Sequence, residues 1–321
     1  MKTWFGALAL LAAIAGQAQA QSYPNKPVTI IVPAAAGGLT DVLTRGIAQR
    51  LSAMWGQSIV IENRGGGAHS IGAVAVAKAA PDGYTLMSVE AGTFVANPFL
   101  YSKLPYDPDN DFVPISGFGE APMGVLAHPS VPVRNVGELI AYAKARPGQV
   151  SYGTAGIGSI LHISMLLMES MTDAKFVPVH YRGGAPALND LVGGHVGLAT
   201  MGPSIAMAAI KDGKLNFLGA AKSKRWPQLP DVPTVSESGL PGYEAATWFG
   251  LFAPAKTPRD VVNRIHDDVQ RILKDPEFQA RFMSVQLLDP MVGTQEEFVA
   301  FIKSDAQKWG KVLRAANVKV E

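Results

Sequence analysis

Ile30 to Arg45 runs IIVPAAAGGLTDVLTR, and the fold follows from this stretch. A β-branched run, Ile30 to Val32, stops at Pro33; two glycines follow, and apolar residues return at helical spacing through Leu43, Ile47, Leu51 and Trp55. The pattern predicts strand, Gly-Gly loop, helix. In such a unit the free amides of the first helical turn point out beyond the carboxyl end of the strand, and glycines let a ligand come close to the backbone. Ala35, Ala36, Gly37, Gly38 and Thr40 therefore form a candidate anion cradle. Thr40 brings a hydroxyl donor, and Asp41 either caps the helix or answers its dipole. A tight turn without a ligand is the plainer account of the same residues.

Working outward, the β-α alternation continues. Ser58 to Glu62 predicts a second strand, Asn63 to Gly67 a loop, and Ile71 to Ala79 a helix. Pro81-Asp82-Gly83 predicts a turn, Tyr84 to Val89 a third strand carrying Ser88, and Glu90 to Thr93 the loop at its end. Three parallel strands would aim three loops at one edge, where open α/β sheets bind ligands. Phe112 to Ala127 holds two extended runs broken by Gly117, Gly119 and Pro122, and a first crossing between lobes is expected there.

A second α/β series follows. Asn135-x-x-Glu138 opens a helix to Ala145, Val150 to Thr154 predicts a strand, and Gly156-Ile157-Gly158-Ser159 leads into a helix carrying Ile160, Ile163 and Leu167. This repeats the opening pattern. Lys175 to His180 predicts a strand, Tyr181 to Gly184 a loop with Arg182 and Gly183, and Pro186 the first residue of a short helix. His195 to Thr200 predicts a strand followed by the loop Met201 to Ser204. Prolines and glycines thicken between Ser223 and Gly242, as in segments that join lobes, and Thr247 to Ala253 predicts a strand returning to the first lobe. Two helices close the chain: one capped by Thr257 with Pro258 at its first position, the other opened by Thr294-x-x-Glu297.

The chain's 321 residues suit two α/β lobes, and 48% apolar composition supplies two cores. Residues 1–20 belong to neither: Lys2, an apolar run from Trp4 to Ala15 and the small-x-small Ala18-Gln19-Ala20 have the form of a signal peptide. That run is shorter than the ~20 residues of a membrane span, so the expected mature protein is exported and not membrane-embedded. There is no cysteine, hence neither disulfide nor lipid-anchored Cys. With 28 Lys+Arg against 26 Asp+Glu, the near balance of charge argues against nucleic acid as a partner.

Several segments together resemble one family: VPAAAGGLTD (32–41), ENRGGGAHSIGA (62–73), PDGYTL (81–86), YGTAGIGSILH (152–162), VHYRGGAPALNDLVGGHV (179–196), LPDVPT (229–234) and APAKTP (253–258). In order and spacing they are similar to the receptors of tripartite tricarboxylate transporters, the Bug-type periplasmic solute-binding proteins. The resemblance implies an α/β fold of two Rossmann-like lobes around a central cleft, the type II periplasmic binding protein architecture. The expected partition is 21–122 with 245–321 as lobe 1 and 123–244 as lobe 2. It implies a small organic carboxylate, a dicarboxylate or aromatic acid, as ligand, and the subunits of a membrane permease as partners. It also implies a pincer in which the loops Ala35 to Thr40 and Thr154 to Ser159 grip the ligand's carboxylate. Two positions depart from the family: Ala34 stands where an aromatic residue is usual, which would enlarge the pocket and favour a larger or aromatic acid, and His69 where a small residue, commonly Gly, is usual, which would add a hydrogen-bonding or cationic group near it; the alternative for both is scaffolding.

The candidate contacts are Ala35, Ala36, Gly37, Gly38, Thr40, Ser88, Glu90, Thr154, Gly156, Ile157, Gly158, Ser159, His162, Arg182, Gly183, Met201 and Ser204. His162, just inside its helix, is either a ligand contact or a structural polar group. Arg182 can fork onto a carboxylate or form a surface or interlobe salt bridge. Glu90 repels an anion unless water or a donor intervenes and suits an amine-bearing ligand; the alternative is solvation at the rim. Asp190 reads as structural, and Met165, Met168 and Met171 as core filling. The six histidines show no metal spacing, and no phosphate-loop, dinucleotide or nucleophile-elbow motif occurs, so neither metal nor cofactor is expected. A secreted α/β enzyme acting on a small carboxylate is the alternative, with Ser159 and His162 its only evident pair and no placed orienting acid.

Overall fold

The computed structural model describes residues 23–320; the expected signal peptide lies outside them. The first unit forms as its sequence dictates: strand β1 (Val28–Val32), then helix α1 (Leu39–Trp55). Strand β2 (Ile59–Asn63), helix α2 (Ser70–Ala77) and strand β3 (Thr85–Glu90) follow. Two short helices, α3 (Gly92–Val95) and α4 (Asn97–Leu100), occupy the region after β3, so the loop expected from Glu90 to Thr93 is in part a helical turn. Strand β4 (Phe112–Pro122) is continuous through Gly117 and Gly119, contrary to the two broken runs expected. Pairing along its length with β10 (Ala246–Pro254) carries it through both glycines, with register shifts taking up the irregularity.

Beyond Met123 the chain enters a second sheet through β5 (Gly124–Ala127), then α5 (Val136–Lys144), β6 (Ser151–Thr154), α6 (Ile160–Thr172), β7 (Val177–His180), α7 (Gly184–Val192), β8 (Leu198–Met201), α8 (Pro203–Lys211) and β9 (Asn216–Ala220). Pro186 is the third residue of α7 rather than its first. After β10 come α9 (Arg259–Leu273), strand β11 (Asp289–Pro290) and α10 (Gln295–Ala315). The cap of α9 is Pro258 and not Thr257, because the Thr257 hydroxyl donates to Pro254 O instead, 2.7 Å away. Thr294 and Glu297 do form the expected reciprocal capping box on α10.

The two sheets repeat one topology. The first has the order β11-β4-β10-β3-β1-β2 and the second β7-β6-β8-β5-β9. In each, three parallel strands are followed by one antiparallel strand, β10 or β5, entering beside a crossing. Polar contacts repeat as well. Thr44 Oγ1 on α1 meets Ser88 Oγ on β3 at 2.6 Å, and Ser164 Oγ on α6 meets Thr200 Oγ1 on β8 at 3.0 Å.

Helices α9 and α10 lie against the first sheet. Asp268 of α9 accepts from the Trp55 indole at 2.8 Å, and Asp305 of α10 accepts from the Trp248 indole at 2.9 Å. Where the chain changes sheets, Met123 N donates to Ala245 O, Ala221 N to Met123 O and Ala245 N to Ala221 O, all within 2.9 Å. Three segments are thus tied by backbone bonds at one place. Lys222 adds a 2.6 Å ion pair to Asp289, and Trp226 packs with Leu287.

Candidate functional site: a cavity between the two sheets

Both glycine loops are fixed by the side chain four residues on. Gly37 N donates to Asp41 Oδ2 at 2.9 Å, and Gly158 N donates to His162 Nδ1 at 3.0 Å. The two glycines lie in the left-handed region, with φ of 81° and 76°. Loop geometry is therefore duplicated while the capping group is a carboxylate in one lobe and an imidazole in the other.

Asp41 is the hub of the first loop. Besides Gly37 N it accepts from Arg45 Nε at 2.9 Å and Asn63 Nδ2 at 3.0 Å, and Asn63 also donates to Ala34 O. Burial alone would raise this carboxyl, but the bonds from Arg45, Gly37 and Asn63 outweigh it and hold the group below the usual carboxylate range. Ala35 to Gly38 are exposed, and the helix they precede has no side-chain cap at Gly38, so its first-turn amides face outward. Thr40 is buried.

In the second loop Thr154 is fully buried, and its hydroxyl meets His180 Nδ1 at 2.7 Å and accepts from Gly156 N at 3.2 Å. Ser159 Oγ donates to Gly156 O at 2.8 Å and caps α6 by accepting from His162 N. His162 is buried beside His180, with ring centroids 4.9 Å apart. Burial first, and the neighbouring imidazole second, push its pKa down to about 4. The ring is therefore neutral, and Nδ1, as acceptor from Gly158, leaves the proton on Nε2.

A cavity of about 200 Å³ lies between the sheets. The second loop contributes Ala155, Ile157, Gly158 and Ser159; α6 contributes Ile160 and Ile163; the first sheet's side contributes His69, Glu90, Asn97, Leu100, Thr247 and Trp309 among others. A Cβ added at Gly158 would collide with Leu100 Cδ1, so here the lobes touch directly.

Of the expected contacts, Glu90, Ile157, Gly158 and Ser159 line this cavity, and the loop from Ala35 to Thr40 does not. Ser88 is buried on Thr44, Met201 is buried in the second sheet, and Thr154 and His162 hold the loop from behind. Arg182 is exposed, Gly156, Gly183 and Ser204 are partly exposed, and none of the four lines the cavity. Asp190 accepts from the Tyr181 hydroxyl at 2.6 Å, a structural role. Met165 and Met168 are buried, whereas Met171, expected in the core, is 37% exposed on the far end of α6.

Sequence reasoning missed Asn97, Leu100, Thr247 and Trp309. Leu100 and Asn97 sit on a one-turn helix with no periodic signal, and Trp309 comes from a helix that reads only as an amphipathic surface. His69, the departure expected to add a polar group near the pocket, stands on the cavity wall.

Two repeated sheets, two crossings tied by backbone bonds and a cavity where the sheets meet define a two-lobed solute-binding receptor. The chain belongs to the tripartite tricarboxylate transporter receptor family, whose model matches residues 43–318. It is 32% identical to the BugT protein of Bordetella pertussis over 311 residues, covering 97% of this chain and 95% of that one. Among solved structures, an R. palustris protein with adipate superposes with a TM-score of 0.83 at 35% identity, over 93% of this chain and all of that one. The periplasmic binding protein BugD gives 0.78 at 34%, again over 93% of this chain and all of that one. MatC from Rhodopseudomonas palustris with bound malate gives 0.77 at 33%, over 91% of this chain and all of that one.

Proposed function

We propose that this protein is the periplasmic receptor of a tripartite transporter, closing two lobes on a small organic carboxylate and presenting it to membrane permease subunits. The observation that carries this is the meeting of the second loop with Leu100 around one cavity, in a family whose relatives are solved with adipate and malate. The first loop stands off the cavity in this structure, and further closure brings its outward amides to the ligand that the second loop holds, with residues 23–122 and 245–320 moving as one body against 123–244. The bodies turn at Met123, Ala221 and Ala245, where hydrogen bonds join backbone to backbone. Ligand shifts the open-closed equilibrium because it touches both lobes only when they are closed.

Receptor rather than hydrolase is supported by the bonding of Ser159 and His162. The serine proton goes to Gly156 O and the imidazole Nδ1 is engaged by Gly158 N, so the ring does not activate the hydroxyl. The test is thermal melting against mono-, di- and aromatic carboxylates, where ligand at ~100 times its dissociation constant adds ~2.7 kcal/mol to the native state. A melting shift with one member of the panel, the compound being recovered unchanged, supports the reading. Flat melting curves across the panel, or chemical conversion of a compound, would contradict it.

A further inference from the structure

Cavity walls carry an uneven set of charges. Among the described residues that line it, Glu90 is the one carboxylate, His69 the one imidazole and Tyr101 the one phenol, and there is no Lys or Arg. Glu90 ends β3, where backbone pairing with Phe249 and the bond from Ala91 N to Trp248 O fix its position. His69 Nε2 lies 3.8 Å from Glu90 Oε1, a contact that is ionic only when the imidazole is protonated.

The placement of His69 costs the backbone something. Ala68 and His69 are consecutive non-glycine residues with φ of 49° and 75°, a conformation that side chains disfavour. The loop is held there from below. Asn97 Nδ2 donates to Ala68 O at 2.7 Å, and His69 Nδ1 meets Thr93 Oγ1 at 3.1 Å, with Thr93 fully buried. Such an over-determined loop aims a ring at a carboxylate on a ligand cavity, which is how strained residues at binding sites are kept.

We propose, on the carboxylate-receptor reading above, that Glu90, positioned by His69, reads a protonated amine at the end of the ligand away from its carboxylate. The ligand class is then an amino acid in the broad sense, one carboxylate and one ammonium on a short chain, rather than a plain diacid. A second ligand carboxylate at this wall would meet Glu90 with no fixed cation to offset it, and like charges at an interface select against that partner. An ammonium answers Glu90 with a charge-assisted hydrogen bond. His69 keeps the carboxylate in place and is a positioning residue.

The test is isothermal titration calorimetry on the purified protein with matched pairs: succinate against γ-aminobutyrate, and adipate against ε-aminocaproate. In at least one pair the amino acid should bind tighter by about tenfold or more, and Glu90→Gln should bring that ratio to parity or reverse it. His69→Gly should narrow the ratio, and a melting temperature of the unliganded variant close to that of wild type separates this from loss of fold. Equal or tighter binding of the diacid in both pairs, or an amine preference that survives Glu90→Gln, overturns the proposal and leaves the carboxylate receptor standing. If no compound of either kind binds, both readings fall.

Discussion

Gly158 of the second lobe and Leu100 of the first are packed so closely that no side chain fits between them, and Leu100 O is itself fixed by a 2.9 Å bond from Val320 N. This contact between the lobes thus depends on the absence of one carbon atom at the tip of a glycine loop. Gly158 is also in the left-handed region, so two independent causes keep it glycine.

Gly158→Ala is expected to weaken ligand binding by about tenfold or more, through both the strained φ and the collision with Leu100. Leu100→Ala in the same chain should recover the part due to the collision. A double-mutant cycle by calorimetry with whichever carboxylate raises the melting temperature reads the coupling, which should be ~0.5–3 kcal/mol. Strictly additive effects would remove the contact from the closure step.

Asp41→Ala should destabilise the protein by about 1–3 kcal/mol, because it leaves the amide of Gly37 and the side chains of Arg45 and Asn63 without their acceptor. The carboxyl is held below its unfolded-state range, so its stabilisation is present above about pH 4 and is lost as the pH falls through the depressed native value. Chemical denaturation of wild type and Asp41→Asn should therefore differ most at neutral pH and converge in acid.

His162 should remain neutral, with its proton on Nε2, from neutral pH down to about pH 5. Its native pKa of about 4 lies below the unfolded value of 6.5, so the stability it contributes is whole above about 6.5 and falls as acid is added. Imidazole nitrogen shifts in two-dimensional NMR read both tautomer and titration. His162→Leu removes the acceptor of Gly158 N and should lower ligand affinity without any pH dependence of its own.

Glu120 lies two strand positions inside the crossing, in a pocket with Asp289, Asp305, Lys308 and Glu244. Burial first, then the charges of Asp305 and Asp289, push its pKa up to about 7, against the pull of Lys308. A raised carboxyl costs nothing where both states are protonated, below about pH 4.5, and its full penalty is in place above about pH 7. Glu120→Gln should therefore raise the melting temperature at pH 8, a gain on the order of 1–3 kcal/mol, and should change little near pH 4.

Much of this fold is legible in the sequence because its elements are punctuated locally. β-branched runs stopped by a proline or a glycine-rich loop, the Thr294 capping box and the duplicated Gly-Gly and Gly-x-Gly loops all encode their structure within a few residues. The candidate site is less legible for the same reason. Glu90 and Gly158 stand at element ends and could be picked out, but Leu100, Asn97 and Trp309 reach the cavity only through packing between segments far apart in the chain. His162 illustrates the limit: its position at a helix start is plain, but whether its ring faces a ligand or the amide of Gly158 depends on a loop turning back by one glycine in the left-handed region. Met171 shows the converse, a helical spacing of methionines that runs past the edge of the core.

The central claim is that two lobes close on a carboxylate, and small-angle X-ray scattering tests it most directly. With a carboxylate that demonstrably raises the melting temperature, saturation should lower the radius of gyration of the wild-type protein, whereas Gly158→Val should stay expanded at the same concentration. An unchanged radius of gyration for wild type at full occupancy would contradict the account.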